Sequence, residues 1–169
     1  MADLTADDTA AATALALAAV ERLAAPGLRV LDAGCGAGPL AQAAAARGAI
    51  VRAVDRDPDA VARARARGLA AELGRIEDLG GDYELVLANL WADDLVALAP
   101  QLIALVAPGG ILYATGALLA QRDAVERAFS PALALRRLEA RGGWCGLELV
   151  RPSWEADPST TENTESTET

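Results

Sequence analysis

What most restricts this chain is an apolar run at 29–33 that breaks into three glycines spaced two apart, Gly34, Gly36 and Gly38. It is answered by an acid, Asp55, 21 positions after the first of them. Alternating glycines let a backbone turn sharply and approach a ligand where side chains would collide. An alanine-rich helix to Arg47 and a stop at Gly48 follow, and the next apolar run, 50–55, ends in the acid. A carboxylate there accepts hydrogen bonds from both hydroxyls of a ribose, so strand, loop, helix, strand and acid form a nucleotide site. The spacing selects the nucleotide. The dinucleotide fingerprint G-x-G-x-x-G would need glycine where Pro39 stands, so a pyrophosphate at the helix start is disfavoured.

The remaining segments alternate in type. Helical patterning at 8–25 stops at Pro26-Gly27, and a second helix is predicted at 59–67. A brief apolar stretch at 69–73 leads to a turn near 75–82, a strand at 83–88 and a helix at 93–106. Pro108-Gly109-Gly110 then turns into a strand at 111–115. A helix near 118–129 precedes strands near 133–139 and 144–150, which turn at Arg141-Gly142-Gly143. The predicted fold class is α/β: a Rossmann-like, doubly wound, seven-stranded, mostly parallel sheet with helices on both faces and a C-terminal antiparallel hairpin. Ligands in such a sheet bind beyond the carboxyl ends of the strands, which directs attention to 33–38, 55–57, 74–78 and 88–91. One domain is expected over 1–151. The segment 152–169 carries five carboxylates and no base, and its composition predicts a disordered acidic tail.

Composition narrows the chemistry. The chain contains no histidine, and all 15 basic residues are arginine. Serine–histidine hydrolysis, Schiff-base lysines, a Walker phosphate lysine and histidine metal sites are thereby excluded, and no metal is expected. Cys35 and Cys145 lie 110 positions apart and no secretory signal pattern is present, which points to a reducing cytoplasm. No apolar run is long enough to span a bilayer. Arg63, Arg65 and Arg67 alternate with alanine and read as a solvated helix face, so neither membrane nor direct nucleic-acid binding is expected.

The segments V-L-D-A-G-C-G-A-G at 30–38, A-V-D-R-D-P at 53–58 and P-G-G at 108–110 resemble the class I S-adenosylmethionine-dependent methyltransferases. L-V-L-A-N-L-W-A-D-D-L-V-A-L-A-P at 85–100, P-G-G-I-L-Y-A-T-G-A-L-L-A-Q at 108–121 and G-W-C-G-L-E-L-V at 143–150 narrow the likeness. Over residues 10–151 the chain resembles the catalytic domain of the PrmA family, which methylates the eleventh protein of the large ribosomal subunit. The resemblance implies S-adenosylmethionine as cofactor, bound by Thr13, Asp32, Gly34, Gly36, Gly38, Asp55, Arg56, Ile76, Glu77 and Asn89. The family's Thr-Thr pair is Ala12-Thr13 here, and its common adenine-binding acid is replaced by Arg75. Adenine contacts are therefore expected from the backbone near Ile76, or from Glu77 or Asp78. Asp32 either anchors the methionine part of the cofactor or braces the loop.

The implied reaction is methyl transfer to an amine nitrogen of a protein, with Asn89, Leu90 and Trp91 at the acceptor. Alignment is its main requirement, so the missing histidine and lysine do not count against it. Asn89-Leu90-Trp91 replaces the Asn-Pro-Pro-aromatic run of enzymes acting on exocyclic nitrogens, which favours an aliphatic amine. Trp91 either walls the acceptor channel or caps the sheet, while Trp144 and Cys145 read as packing residues. The family carries an N-terminal substrate-recruiting domain, whereas this chain starts twelve residues before Thr13. A partner supplying recruitment is therefore one expectation. A small-molecule amine substrate and a non-catalytic cofactor-binding or assembly role are the alternatives, with a nicotinamide oxidoreductase more distant.

Overall fold

The computed structural model describes residues 6–153, so the predicted tail at 152–169 lies outside the described residues apart from Pro152 and Ser153. Ten elements come first: α1 Ala6–Leu23, β1 Arg29–Ala33, α2 Pro39–Ala46, β2 Ile50–Asp55, α3 Pro58–Ala66, β3 Ala71–Leu73, β4 Tyr83–Asn89, α4 Ala92–Ala97, α5 Ala99–Leu105 and β5 Val106–Leu118. Then follow α6 Arg122–Phe129, β6 Ala134–Arg141 and β7 Trp144–Val150, with single 3-10 turns at Ile76–Asp78 and Leu119–Gln121. The seven strands stand in the order β3-β2-β1-β4-β5-β7-β6. Neighbours from β3 to β5 are parallel, and β7 runs antiparallel between β5 and β6. The predicted fold class is what the chain adopts. Gly142 and Gly143, both at positive φ, form the β6–β7 turn, a conformation that type I′ hairpins require.

Both faces of the central strands are covered, which explains their near-continuous apolar sequences. Alternate residues serve opposite layers. Val30, Leu85, Leu87 and Tyr113 pack with α1 and α2. Leu31, Val86, Ala88, Leu112 and Ala114 pack with α4, α5 and α6. Among the described residues no helix is long and apolar enough to cross a membrane.

Two boundaries depart from the sequence reading. The single helix expected at 93–106 is two, because Pro100 in the first turn of α5 has no N–H with which to continue α4. The α4 ladder closes with Leu98 N donating to Asp94 O, and α5 restarts with Leu102 N donating to Leu98 O. The strand expected at 111–115 is also longer. β4 pairs with Val106 through Tyr83 before the Pro108-Gly109-Gly110 irregularity, and with Ile111 through Leu85 after it. Arg151 N donates to Gly110 O and Gly109 N to Arg151 O, so the glycines sit inside the sheet rather than at its border.

A buried charge fastens α1 to the C-terminal strands. Glu148 on β7 is about 1% exposed and binds Arg22 from the last turn of α1 and Arg136 from β6. Arg22 also reaches Glu139 at 3.0 Å, and Tyr113 donates to the same Glu139 carboxylate. Burial would raise the Glu148 pKa, but the two guanidiniums hold it below the usual carboxylate range. Gly146 leaves room for this arrangement, since a Cβ there would lie 2.1 Å from the Tyr113 hydroxyl. Glu148→Ala is expected to destabilise the fold by about 2 kcal/mol at neutral pH, since it removes two charge-assisted bonds while both arginines regain water. The folded pKa is depressed, so this stabilisation is present above the ordinary carboxylate pKa and is lost as pH falls. Urea unfolding at pH 7 and pH 4 checks both the loss and its shrinkage with acid.

Candidate functional site

The carboxyl ends of β1, β2 and β4 surround the glycine loop, which hangs from the end of β2. Gly34 N and Cys35 N both donate to Val54 O, at 2.9 and 3.0 Å. Gly36 N donates to Asp55 Oδ2 at 2.8 Å, and Asp57 N donates to Asp55 Oδ1 at 2.9 Å. Each carboxylate oxygen keeps lone-pair capacity for a further donor. All three loop glycines have positive φ, and a Cβ on Gly36 would meet nothing within 4 Å, so the backbone there is open to a ligand.

Asp32 lies beneath the loop, about 1% exposed. Gly38 caps α2 without a side chain, and Asp32 Oδ2 accepts from Ala41 N, three residues into the helix, at 3.0 Å. Asp32 thus braces the loop and helix from β1. Burial, with a smaller contribution from the Asp55 charge, raises its pKa to about 7. Burial, with the nearby Asp32 and Asp55 charges, pushes the Cys35 thiol up to about 12, which leaves it protonated and unreactive. Among the described residues no group of three acids or cysteines could hold a metal.

Two clefts flank Leu90. The first is lined by Gly34, Asp55, Arg56, Arg75, Ile76 and Glu77 with parts of β2 and α4. Arg75 pairs with Glu77 at 2.8 Å and holds its carboxyl below the usual range. The second cleft is lined by Asn89, Leu90 and Trp91 together with Thr9, Ala12, Gly116 and Trp144. A Cβ on Gly34 would lie 2.7 Å from Leu90 Cδ2, so glycine there lets the leucine, which lines both clefts, pack against the loop.

Asn89 ends β4 on the face of Leu85 and Leu87, toward α1. Its Nδ2 donates to Thr13 Oγ1 at 3.4 Å. That bond turns the amide oxygen toward Gly116, where a Cβ would stand 3.0 Å from Asn89 Oδ1 and 2.2 Å from Leu90 O. Gly116 has a φ of 94°, and the lack of a side chain there lets both oxygens pack close to its backbone. Trp91 is half exposed and Trp144 buried, with ring centroids 6.0 Å apart and planes inclined at 47°.

Of the residues expected from the sequence, Gly34, Asp55, Arg56, Ile76 and Glu77 line the first cleft. Asn89 and Trp91 line the second, and Leu90 lines both. Thr13, Asp32, Gly36 and Gly38 line neither; Thr13 touches Asn89, Asp32 touches α2, and Gly36 and Gly38 shape the loop. Sequence reasoning missed Asp94 and Leu98, which nothing in the local pattern marks. It also missed Gly116, whose only signal was its place in the T-G-A-L run, and Trp144, which both packs against α1 and lines the cleft.

This strand order, with a glycine loop hung on a β2 acid, defines the Rossmann-like fold of methyltransferases. Its likeness to the ribosomal protein L11 methylase of Lactobacillus delbrueckii subsp. bulgaricus has a TM-score of 0.78 at 28% identity, covering 83% of this chain and 79% of that one. Residues 8–152 match the model of the ribosomal protein L11 methyltransferase (PrmA) family. The chain belongs to that family. It is 44% identical over 140 residues to the ribosomal protein L11 methyltransferase of Geobacter metallireducens, covering 78% of this chain and 46% of the relative. It is 38% identical over 146 residues to that of Dechloromonas aromatica, covering 83% and 49%. The chain thus spans about half the length of the relatives it matches.

The buried Asp32 carboxyl has a measurable signature. Its folded pKa stands above its unfolded value of roughly 4, so its contribution to stability is full below that value and is lost as pH rises through about 7. Asp32→Asn keeps an acceptor for Ala41 N and has no charge to bury. Its stability relative to the parent protein is expected to rise by more than about 1 kcal/mol between pH 5 and pH 8. Paired urea titrations across that range check it, and a difference independent of pH would show that the carboxyl is not the titrating group.

Proposed function

We propose that this chain is an S-adenosylmethionine-dependent methyltransferase acting on an amine nitrogen, in the first instance a lysine or N-terminal amine of a protein. The observation that carries the reading is that a cleft lined by the glycine loop and Asp55 adjoins, at Leu90, a second cleft lined by Asn89, Trp91 and Gly116. The names of its relatives make ribosomal protein L11 the first acceptor to test.

The first cleft fits the cofactor. Asp55 offers lone pairs to two ribose hydroxyls, Ile76 offers an apolar face to adenine, and Gly36 leaves the loop bare. Gly34, Arg56 and Glu77 complete the adenosine side, with Asp32 holding the loop from below. When bound, S-adenosylmethionine supplies a methyl group activated on a sulfonium. At the acceptor, Asn89 Oδ1 and Leu90 O accept the two hydrogens of a neutral primary amine and leave its lone pair directed at the first cleft. No charged side chain lines the second cleft among the described residues, and burial there favours the neutral amine over its ammonium form. The proton released after transfer passes to water at the half-exposed Trp91 rim.

Asp55→Ala is expected to weaken S-adenosylhomocysteine binding at least tenfold by calorimetry, because it removes both ribose acceptors. Asn89→Ala is expected to keep that binding within about threefold and to lower methyl transfer about 100-fold or more, the range for a lost positioning contact. The assay supplies labelled methyl donor to the purified chain with unmethylated ribosomes and with free L11, and identifies the acceptor by mass. Label found only on a small amine would replace the protein substrate. Cofactor binding without turnover on any amine would reduce the chain to a cofactor-binding protein.

A further inference from the structure

Trp91 and Trp144 occupy the second cleft beside the two converging oxygens, yet nothing in methyl-group alignment requires two indoles there. Their planes are inclined at 47° with centroids 6.0 Å apart, a wedge too narrow for a group to lie sandwiched inside it, and both residues line the second cleft. One indole is buried against α1 and fixed, while the other is half exposed at the mouth. Trp91 combines exposure to solvent with a place in the lining of the second cleft, so it is accessible to a ligand there. Indole faces carry negative electrostatic potential and attract cations, best of all alkylated ammonium groups whose methyls also make apolar contact.

We infer that Trp91 and Trp144 form an alkylammonium subsite, which takes the charged, methylated form of an amine at the mouth of the acceptor cleft. The inference rests on the proposed amine acceptor and adds its charge state and class: an ammonium bearing methyl groups rather than a neutral apolar side chain. Asn89 and Leu90 offer only oxygens, and a fully methylated nitrogen has no hydrogen to give them. Such a group is therefore displaced from the oxygens toward the wedge, where it needs none. Two different states of the same nitrogen thus have separate places within one cleft.

The test compares choline, a quaternary ammonium, with 3,3-dimethylbutan-1-ol, which has the same shape without the charge. Each is titrated onto the full chain saturated with S-adenosylhomocysteine, and the indole N–H signals of Trp91 and Trp144 are followed by NMR. A Trp154→Phe variant removes the third indole signal. Choline is expected to move both signals saturably and to bind at least fivefold more tightly than the alcohol. Trp91→Leu is expected to remove at least threefold of choline affinity with little change for the alcohol, and Trp91→Phe to fall between. If Trp91→Leu does not fold, the parent contrast and the phenylalanine variant decide. Equal affinity for the two probes, or choline binding that leaves both indoles unmoved, overturns the subsite. A titration with S-adenosylhomocysteine alone separates the two readings. If it binds while choline shows no preference, only the subsite fails; if it does not bind while choline still prefers the wedge, the methyltransferase reading fails and the subsite stands.

Discussion

The site depends on the attachment of the glycine loop to the end of β2. Val54 O receives two loop N–H groups, and Asp55 receives Gly36 N on one oxygen and Asp57 N on the other. An N–H left without a partner beneath such a loop costs about 1–3 kcal/mol, so these bonds hold the loop in one curve. Several other features follow. The curve demands positive φ at Gly34, Gly36 and Gly38, and the bare Gly38 leaves α2 without a side-chain cap. Asp32 supplies that cap from β1, and the same position buries its carboxyl and raises its pKa. Asp55 therefore shapes the loop with the same oxygens that the proposed function assigns to a ribose, so a change there would alter structure and binding together.

The acceptor side depends on a second attachment at the other end of α1. Arg22 on that helix is tied to the buried Glu148, nine residues beyond Thr13. At 1.5 Å per residue this is about 13.5 Å along the axis. The clamp sets how α1 lies over β5 and β7, and so whether Thr13 Oγ1 stands within reach of Asn89 Nδ2. The amide orientation that turns Asn89 Oδ1 toward Gly116 is thus supported from the opposite end of the helix. A buried carboxylate between two arginines contributes to function here through geometry alone.

The part of the fold legible in the sequence is the part built from contiguous residues. The run from Arg29 to Asp55 contains strand, loop, helix, strand and acid in order, and glycine φ requirements and apolar spacing mark each one. Asn89 was legible for the same reason, as the polar end of a doubly buried strand. Gly116 and Trp144 were not, because their place in the cleft comes from β7 inserting antiparallel between β5 and β6. Register between strands some 30 residues apart, with Leu118 opposite Trp144, leaves no local periodicity to read. Pro100 and Pro108-Gly109-Gly110 misled in opposite directions. One broke a helix whose apolar pattern continued through it, and the other lay within a strand whose pairing on both sides comes from β4.

A chain without histidine or lysine has to manage the proton of its acceptor by environment. The second cleft divides that task by depth. Asn89 and Leu90 bring two oxygens to it among uncharged lining residues, where desolvation disfavours an ammonium. At its mouth, the half-exposed Trp91 meets water and its ring attracts a cation. In the proposed reaction, an amine arriving as ammonium would be met by the wedge, give its proton to water at the exposed Trp91 and reach Asn89 neutral. After the proposed transfer, the charged nitrogen would return toward the indoles. The electrostatic preferences of the two depths are opposite in sign, and that opposition gives the cleft a direction which a single basic residue would not supply.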